Sequence, residues 1–403
     1  MRVRPADCES AAALIVPDSL TALGVVRSLA PHGVACTVCA CSALGPAQYS
    51  RYARAVACPP PSAGRAFIDA LVDIGRSFRV PPVLFVTDEA SLLLAERARE
   101  ELAARFRLTI PPLRQFEQLV SKAQVYALGT AAGVPIPETW ALSGGVIPSG
   151  LHYPLVMKPT RRLARLAEYQ VRSFRTEFGC KGLLVANAGE AVRVNRRARA
   201  LGFEMLVQEV VPGPVTDLLT AGVFAGSNGD RAVFTARKLA QVPADFGDGS
   251  VVEGVPLPEL EPLVSRLLDH AGFVGLADIE FKRDALDGQL KLLDMNLRPW
   301  LWIELASRCG VNLPYLLYCE AAHRGTAAHA QTAERVVWCS MRSLLRRSRG
   351  HGRADRAVLH ALLSVARGAG IEPTFTRHDV LWRMLVSPRF WRDAVRSGRR
   401  ELP

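Results

Sequence analysis

Between residues 11 and 110, apolar-rich runs of strand length alternate with stretches of helical periodicity. Ala12 to Val16, Val34 to Cys39 and Val83 to Thr87 read as strands. Ser19 to Ala30, Ala66 to Phe78 and Glu89 to Arg105 read as helices. This alternation predicts a parallel sheet with helices on both faces. Asp18-Ser19 supplies a helix N-cap and Gly33 a helix stop. No G-x-G-x-x-G follows the first strand, so a dinucleotide fingerprint is absent. Pro111-Pro112 marks a boundary.

Beyond it, Gln115 to Gly133 reads as a helix, ended by Val134-Pro135-Ile136-Pro137 in extended form. The strand Leu155 to Lys158 stops at Pro159 and gives way to a basic polar stretch, Thr160 to Gly182. A strand at Leu183 to Ala186, a helix at Ala188 to Leu201 and a strand at Met205 to Glu209 come next. Strands continue at Asp217 to Phe224 and Arg231 to Leu239, and a helix at Leu260 to Ala271 precedes a hairpin. No internal repeat is present. The tail after about Ala328 reads as helical and arginine-rich, with breaks at Gly350 and near Pro373.

The hairpin carries the chemistry. Its arms are Ala277 to Lys282 and Leu290 to Arg298, joined through Asp287-Gly288. Side chains alternate faces along a strand. Ile279 and Phe281 therefore share one face, as do Leu293, Met295 and Leu297, while Glu280, Asp294, Asn296 and Arg298 take the other. A register centred on Asp287 sets Glu280 opposite Asp294. Two carboxylates and an amide oxygen then converge, with a guanidinium behind them. A solvated polar face is one account of this pattern. The order acid, acid, amide, arginine makes no salt-bridge ladder, however, and suits an external cation: hard oxygen donors fit Mg²⁺ beside nucleotide phosphates, and Arg298 offers a planar fork to phosphate oxygens.

Composition narrows the class. The chain has 403 residues, 49% hydrophobic and 22% charged, which describes a globular protein long enough for two or three domains. No apolar run reaches the roughly 18 residues that span a bilayer, and Ala11 to Val16 reads as a first strand rather than a signal peptide. Nine scattered cysteines, an odd number, point to reduced thiols and a cytoplasmic location. Cys36, Cys39 and Cys41 cluster, but no second ligand pair follows at zinc-like spacing, so they read as small buried hydrophobes. Net charge is +12, most of it in residues 331–403, where fifteen Arg and six acids leave +9.

Taken in order, these motifs resemble the ATP-grasp superfamily, over nearly the whole chain up to about residue 322. The nearest likeness is to its predicted carboligases, relatives of the ATP-binding halves of carbamoyl-phosphate synthetase and biotin carboxylase. Ser121-Lys122 through Gly133 resembles the helix bearing the first nucleotide lysine, and Pro154-Leu-Val-Met-Lys158-Pro159 the strand bearing the second. Val207-Gln208-Glu209-Val210-Val211-Pro212-Gly213 resembles the hinge that grips adenine. Ala236-Arg237-Lys238-Leu239 through Phe246-Gly247 resembles the basic strand facing substrate and γ-phosphate. Asp294-Met-Asn296-Leu-Arg298 resembles the metal and phosphate motif, and Gly310-Val-Asn-Leu-Pro314 the closing turn. Two departures stand out. The family usually has Glu at the place of Asp294, and its lid loop is normally glycine-rich, whereas Thr160 to Cys180 holds Arg161, Arg162, Arg165, Arg172 and Arg175.

The resemblance implies an ATP-grasp fold of mixed α/β and α+β class. It would comprise a Rossmann-like pre-ATP-grasp domain (1–112), a linker helix and lid subdomain (113–205), a large subdomain with the metal site (206–328) and a basic helical extension (329–403). It implies ATP and Mg²⁺, with Mn²⁺ as an alternative. Lys122, Lys158, Gln208, Glu209, Val211 and Asp217 would bind nucleotide, Glu280, Asp294 and Asn296 the metal, and Arg298, Lys238 and Arg237 would serve catalysis. On general grounds Lys158 at the end of an apolar strand wants an anionic partner or a route to solvent. Lys122 at a helix start opposes the dipole unless an anion is near or water surrounds it. The implied activity joins a carboxylate to an amine, or less often to a thiol, through an acyl phosphate. Small-molecule acid and amine partners and a homo-oligomer are expected, and nucleic acid is not. A degenerate nucleotide-binding regulator, and a nucleic-acid or membrane-surface binder acting through the basic tail, are the competing readings.

Overall fold

Helix caps and fully apolar strands define the first part of the chain. The computed structural model describes residues 11–142, 146–165 and 170–325, together with 329–332, 335–341, 343, 363–365, 370–373, 379–380 and 387. These fall into two compact units. One takes the described residues up to Ile110, those of Pro314–Ala327 and those after Thr376; the other takes Pro111–Leu313 and Ala328–Phe375.

In the first unit β1 (Ala13–Val16), β2 (Cys36–Ala40), β3 (Ala53–Ala57), β4 (Val83–Val86) and β5 (Arg107–Leu108) form a parallel sheet in the order β3-β2-β1-β4-β5. Every residue of β1 and β4 is buried, as a parallel sheet covered on both faces requires. Ser19 caps α1 (Leu20–Leu29) by accepting from Ala22 N–H at 3.1 Å. Asp88 caps α3 (Glu89–Arg97) by accepting from Ser91 N–H at 2.7 Å. Between them α2 (Arg65–Arg76) buries Phe67, Ile68, Leu71 and Val72.

Two features of this unit differ from the pattern-based expectation. The edge strands β3 and β5 carry little apolar periodicity, because neither has a buried row to declare. The single helix expected over Glu89 to Arg105 breaks at Ala98, and α4 (Arg99–Ala103) follows. Of the clustered cysteines expected to be buried, Cys36 and Cys39 are, while Cys41 is half-buried; burial pushes the Cys36 thiol up to about 12. Among the described residues no group of three or more His, Cys, Asp or Glu is arranged to hold a metal.

In the second unit the helix expected over Gln115 to Gly133 is two helices, α5 (Leu113–Leu119) and α6 (Lys122–Ala131). Ser121, in extended conformation, separates them and places Lys122 in the first turn of α6. A four-stranded antiparallel lid sheet follows, made from β6 (Thr139–Ala141), β7 (Leu155–Pro159), β10 (Leu183–Val185) and β11 (Met205–Glu209) in the order β10-β7-β11-β6. The basic stretch expected as loop contains the hairpin of β8 (Leu163–Arg165) with β9 (Val171–Ser173), and then α7 (Phe174–Phe178). Together with α8 (Ala188–Ala200), α7 covers the lid core, where Phe174 meets Phe203 edge-on at 5.3 Å.

The large sheet holds β12 (Leu218–Ala225), β13 (Arg231–Val242), β14 (Asp248–Gly254), β15 (Gly275–Arg283), β16 (Leu290–Asn296), β17 (Val336–Cys339) and β18 (Gly370–Ile371). Their order is β16-β15-β12-β13-β14-β17-β18. The tail assigned from its sequence to a helical extension over 329–403 is therefore corrected where it is described. Val336–Cys339 pairs with β14 because Val336, Val337, Trp338 and Cys339 are a fully buried run, too apolar for a surface layer. Most of the arginine-rich remainder lies outside the described residues, and residues 363–365 are helical. No described helix is long and apolar enough to cross a membrane.

After β16 the chain lies flat on one face of this sheet, then enters α10 (Ile303–Arg308) and α11 (Leu313–Ala321), with α9 (Glu261–Ala271) earlier in the sequence. Glycines permit the close approach. A Cβ on Gly222 of β12 would lie 2.3 Å from Trp300, one on Gly249 of β14 2.9 Å from Trp302, and one on Gly254 2.5 Å from Cys309 Sγ. Gly222→Ala is accordingly expected to destabilise the protein by about 1–3 kcal/mol, the usual cost of overpacking. Denaturant unfolding followed by tryptophan fluorescence measures it, and wild-type stability would show that Trp300 is free to move aside.

Candidate active site

Glu280 stands opposite Asp294, as expected, and Asp278 opposite Asn296, but the register is not the one centred on Asp287. Next to the turn Arg283 faces Leu290, Lys282 faces Lys291 and Phe281 faces Leu292, so Glu280 meets Asp294 only because Leu293 is an extra residue on β16. Such a bulge re-aims side chains. Leu293 is thereby turned into the cleft beside Asp294, while Leu292 and Met295 are buried. The expectation that Leu293 shares the buried face of Met295 and Leu297 is corrected by this one inserted residue.

Glu280 and Asp294 form the floor of a cleft of about 350 Å³ between the lid sheet and the large sheet. Its apolar lining is made by Val156, Val210, Val211, Pro212, Leu218 and Leu293. The rest is largely charged. Lys122, from the first turn of α6, is only 8% exposed and donates to Asp294 Oδ1. Arg162, just past β7, donates to Asp294 Oδ2. Lys238, 3% exposed on β13, lies 3.2 Å from Glu280 and 5.5 Å from the centre of the Trp302 ring. Lys158 at the end of β7 donates to Gln208 Oε1 at 2.8 Å, and Gln208 Nε2 donates to Thr139 Oγ1 at 2.8 Å. Lys181 pairs with Asp248, which Arg175 of α7 also holds, tying the lid to β14.

These neighbours set the ionisation of the floor. Burial works against the Asp294 charge, but Arg162 and Lys122 outweigh it and hold the carboxyl well below the usual range. Burial likewise opposes the Glu280 charge, and Lys238 overcomes it. Burial and the adjacent Glu280 lift Asp278 to about 6. Burial, with the charge of Lys122 behind it, pushes Lys158 down to about 8. Lining residues Lys122, Lys158, Arg162, Lys181, Lys238 and Lys282 outnumber Glu209, Asp245, Glu280 and Asp294. The cleft is a basin of positive charge around two fixed carboxylates, lined also by apolar side chains.

No protein-family model matches the chain. A D-aspartate ligase of Enterococcus faecium is 21% identical over 302 residues, covering 71% of this chain and 70% of that protein. Among solved structures, biotin carboxylase from Campylobacter jejuni, crystallised as a complex with β,γ-ATP, superimposes with a TM-score of 0.63 at 15% identity, covering 79% of this chain and 72% of its own. An L-amino acid ligase from Bacillus licheniformis gives a TM-score of 0.58 at 16% identity, covering 78% and 75%. The chain has the ATP-grasp fold.

Within this ATP-grasp fold the residues singled out from the sequence separate into those at the cleft and those beside it. Lys122, Lys158, Gln208, Glu209, Val211, Lys238, Glu280 and Asp294 line it. Glu209 directs its carboxylate at Lys291, 2.6 Å away, and at the Glu138 N–H. The carbonyl of Val211 accepts from Lys282 at 2.7 Å. Asn296 stands two register pairs along from Glu280 and Asp294, outside the cleft lining, with Nδ2 donating to Asp278 Oδ2 at 3.2 Å. Asp217 occupies a 3₁₀ turn outside the lining, its carboxylate over Gly213. Arg298 also lies outside the lining and donates to the Pro299 carbonyl at 3.0 Å.

Arg237, expected to serve catalysis, stands outside the cleft lining. Regular strand geometry sends it to the face opposite Lys238, where Glu253 binds it at 2.7 Å. The sequence reading passed over Arg162, Lys181, Asp278 and Tyr126. The arginine-rich lid stretch was the available signal for Arg162, and the i, i+2 spacing of Asp278 before Glu280 was the signal for Asp278. Tyr126 donates to the Leu293 carbonyl at 2.8 Å, a contact between residues 167 positions apart that local pattern does not encode.

The depressed Lys158 gives the cleft a pH signature. Unfolded, the ammonium titrates near its ordinary 10.5; folded, near 8. Between those values the unfolded chain binds more protons, so the contribution of Lys158 to stability rises as pH climbs through that window. Unfolding of wild type and of Lys158→Met, compared from pH 7 to 10.5, should show wild type gaining on the variant above pH 8. A constant difference would mean an ordinary, solvated lysine.

Proposed function

We propose that this protein is an ATP- and Mg²⁺-dependent ligase that activates a small carboxylic acid as its acyl phosphate and joins it to an amine. The observation that carries this reading is the set of Lys122, Lys158, Arg162, Lys181 and Lys238 gathered with Glu280 and Asp294 in one cleft that apolar side chains also line. A triphosphate has the charge to meet those cations, and Val210, Val211 and Pro212 suit a flat base held at the chain turn after Glu209. The donors fit magnesium: Glu280, Asp294 and the amide oxygen of Asn296 are hard oxygen ligands on adjacent strands of one hairpin. Bound there, the ion would supply charge neutralisation for the outer phosphates.

The chain's own groups would do the rest. Lys122 and Lys158 hold phosphate oxygens, and Lys238 and Arg162 face the transferring group. A carboxylate oxygen of the acid attacks the γ-phosphorus, the bond from that phosphorus to the β-phosphate oxygen breaks, and ADP leaves. The amine nitrogen then adds to the acyl carbon, the carbon–oxygen bond to phosphate breaks, and the amine gives up a proton as the amide forms. Such chemistry needs position and electrostatics and no covalent nucleophile on the protein. The D-aspartate and L-amino acid ligases among the similar proteins support an amino acid as one substrate.

Three measurements test the reading. Lys122→Ala and Lys158→Ala each remove a charge-assisted contact worth about 1.5–3 kcal/mol and should weaken binding of a non-hydrolysable ATP analogue roughly tenfold to a hundredfold by calorimetry. Glu280→Gln should abolish turnover with the fold intact by circular dichroism. Screened against amino acids, the enzyme should release ADP and phosphate, and hydroxylamine should trap the activated acid as a hydroxamate when the amine is withheld. AMP and pyrophosphate as stoichiometric products would replace this mechanism with adenylation. Absence of turnover with tight ATP binding would favour a nucleotide-sensing protein.

A further inference from the structure

We propose that Asp278 is a positioning residue for the metal site, holding the Asn296 side chain so that its carbonyl oxygen and not its NH₂ is presented to the cation. This rests on the metal-site reading above. Asp278 is 1% exposed and sits on β15 directly opposite Asn296 on β16. Its Oδ2 accepts from Asn296 Nδ2 at 3.2 Å, and its Oδ1 accepts from the Thr220 hydroxyl on β12. Thr220 pairs with Glu280 across the sheet, so the Thr220–Asp278–Asn296 chain runs beside the carboxylate floor. On the far side Gly222 pairs with Asp278, and the Trp300 ring covers Gly222.

The two ends of an asparagine amide have nearly the same shape, and packing alone does not choose between them. An ionised carboxylate only accepts hydrogen bonds, so it can be satisfied only by the NH₂ end. With Nδ2 committed to Asp278, Oδ1 is left for a cation. A buried carboxylate is an expensive way to fill space, since an apolar side chain of similar volume stabilises a core at lower cost. Its two partners are a threonine and the very amide whose orientation matters. Charge behind the amide also raises the electron density on Oδ1, the effect that carboxylates exert on other metal ligands one bond removed from the ion.

The test uses the full chain and Mn²⁺ as probe. Mn²⁺ affinity in the presence of ADP is read by electron paramagnetic resonance, and ADP affinity in EDTA is read by calorimetry. Asp278→Leu should lose about tenfold to a hundredfold in Mn²⁺ affinity with ADP affinity in EDTA unchanged. Asn296→Ala should lose at least as much, and the Asp278→Leu/Asn296→Ala double variant no more than Asn296→Ala alone, because both changes remove one ligand. A merely structural Asp278 would lower the melting temperature and leave Mn²⁺ affinity within twofold of wild type, which overturns the proposal, as do additive losses in the double variant. If Asp278→Leu fails to fold, Thr220→Val, which removes one hydroxyl, carries the same comparison with a several-fold loss expected and no loss counting against. Wild type that binds no Mn²⁺ with ADP overturns the metal site itself; wild-type binding with unaffected variants overturns only the role of Asp278.

Discussion

Asp294 is a buried carboxylate held by two cations, and much of the second unit is arranged around that fact. Lys122 reaches it from a helix 172 residues away in sequence and Arg162 from the lid 132 residues away. Taking a carboxylate out of water costs several kcal/mol unless geometry and charge compensate. The helix, the lid strand and the hairpin must therefore meet at one point. The same carboxylate is the one proposed to hold Mg²⁺. The cations on it have the sign that triphosphate oxygens attract, so the contact that unites three segments is also the place where nucleotide and metal would compete for partners.

The hairpin can offer Asp294 this way because its support is rigid. The chain beyond Asn296 beds its two tryptophans and Cys309 onto Gly222, Gly249 and Gly254 on the large sheet. Each glycine lets an aromatic ring or a sulfur sit against backbone, at a distance no side chain would allow. The bulge at Leu293 then adds the local adjustment, turning one more apolar residue toward the cleft and bringing Glu280 opposite Asp294. Close packing fixes the frame, and the bulge sets the aim.

Charge distribution follows the same economy. Lys238 and Arg237 are neighbours in sequence but serve different faces: one enters the cleft over the Trp302 ring, the other is neutralised by the buried Glu253. In the lid, Lys181 and Arg175 share Asp248 of β14 and draw the lid toward the large sheet. The positive surplus in the cleft is thus not the overflow of a basic chain but a local choice of which cations are left facing inward.

Alternation along the hairpin made the carboxylate floor legible from sequence alone. The side-chain period of a strand is fixed at two and Asp287-Gly288 marks the turn, so Glu280 and Asp294 were legible as neighbours on facing arms, although their direct pairing came from the Leu293 bulge, which no turn rule indicates. The parallel sheet of the first unit was legible for the same kind of reason, since fully apolar runs between capped helices have few other uses. What local pattern could not carry was any choice made by a distant partner. The face taken by Arg237 depends on Glu253, and the orientation of Asn296 on Asp278 and Thr220 from neighbouring strands. The burial of Lys122 depends on a carboxylate far along the chain, and the strand at Val336–Cys339 on a free edge of β14. The sequence by itself determined the periods, the turns and the chemical types available. Only the tertiary structure decided which charges are buried together, because desolvation and pairing act between residues that chain order keeps apart.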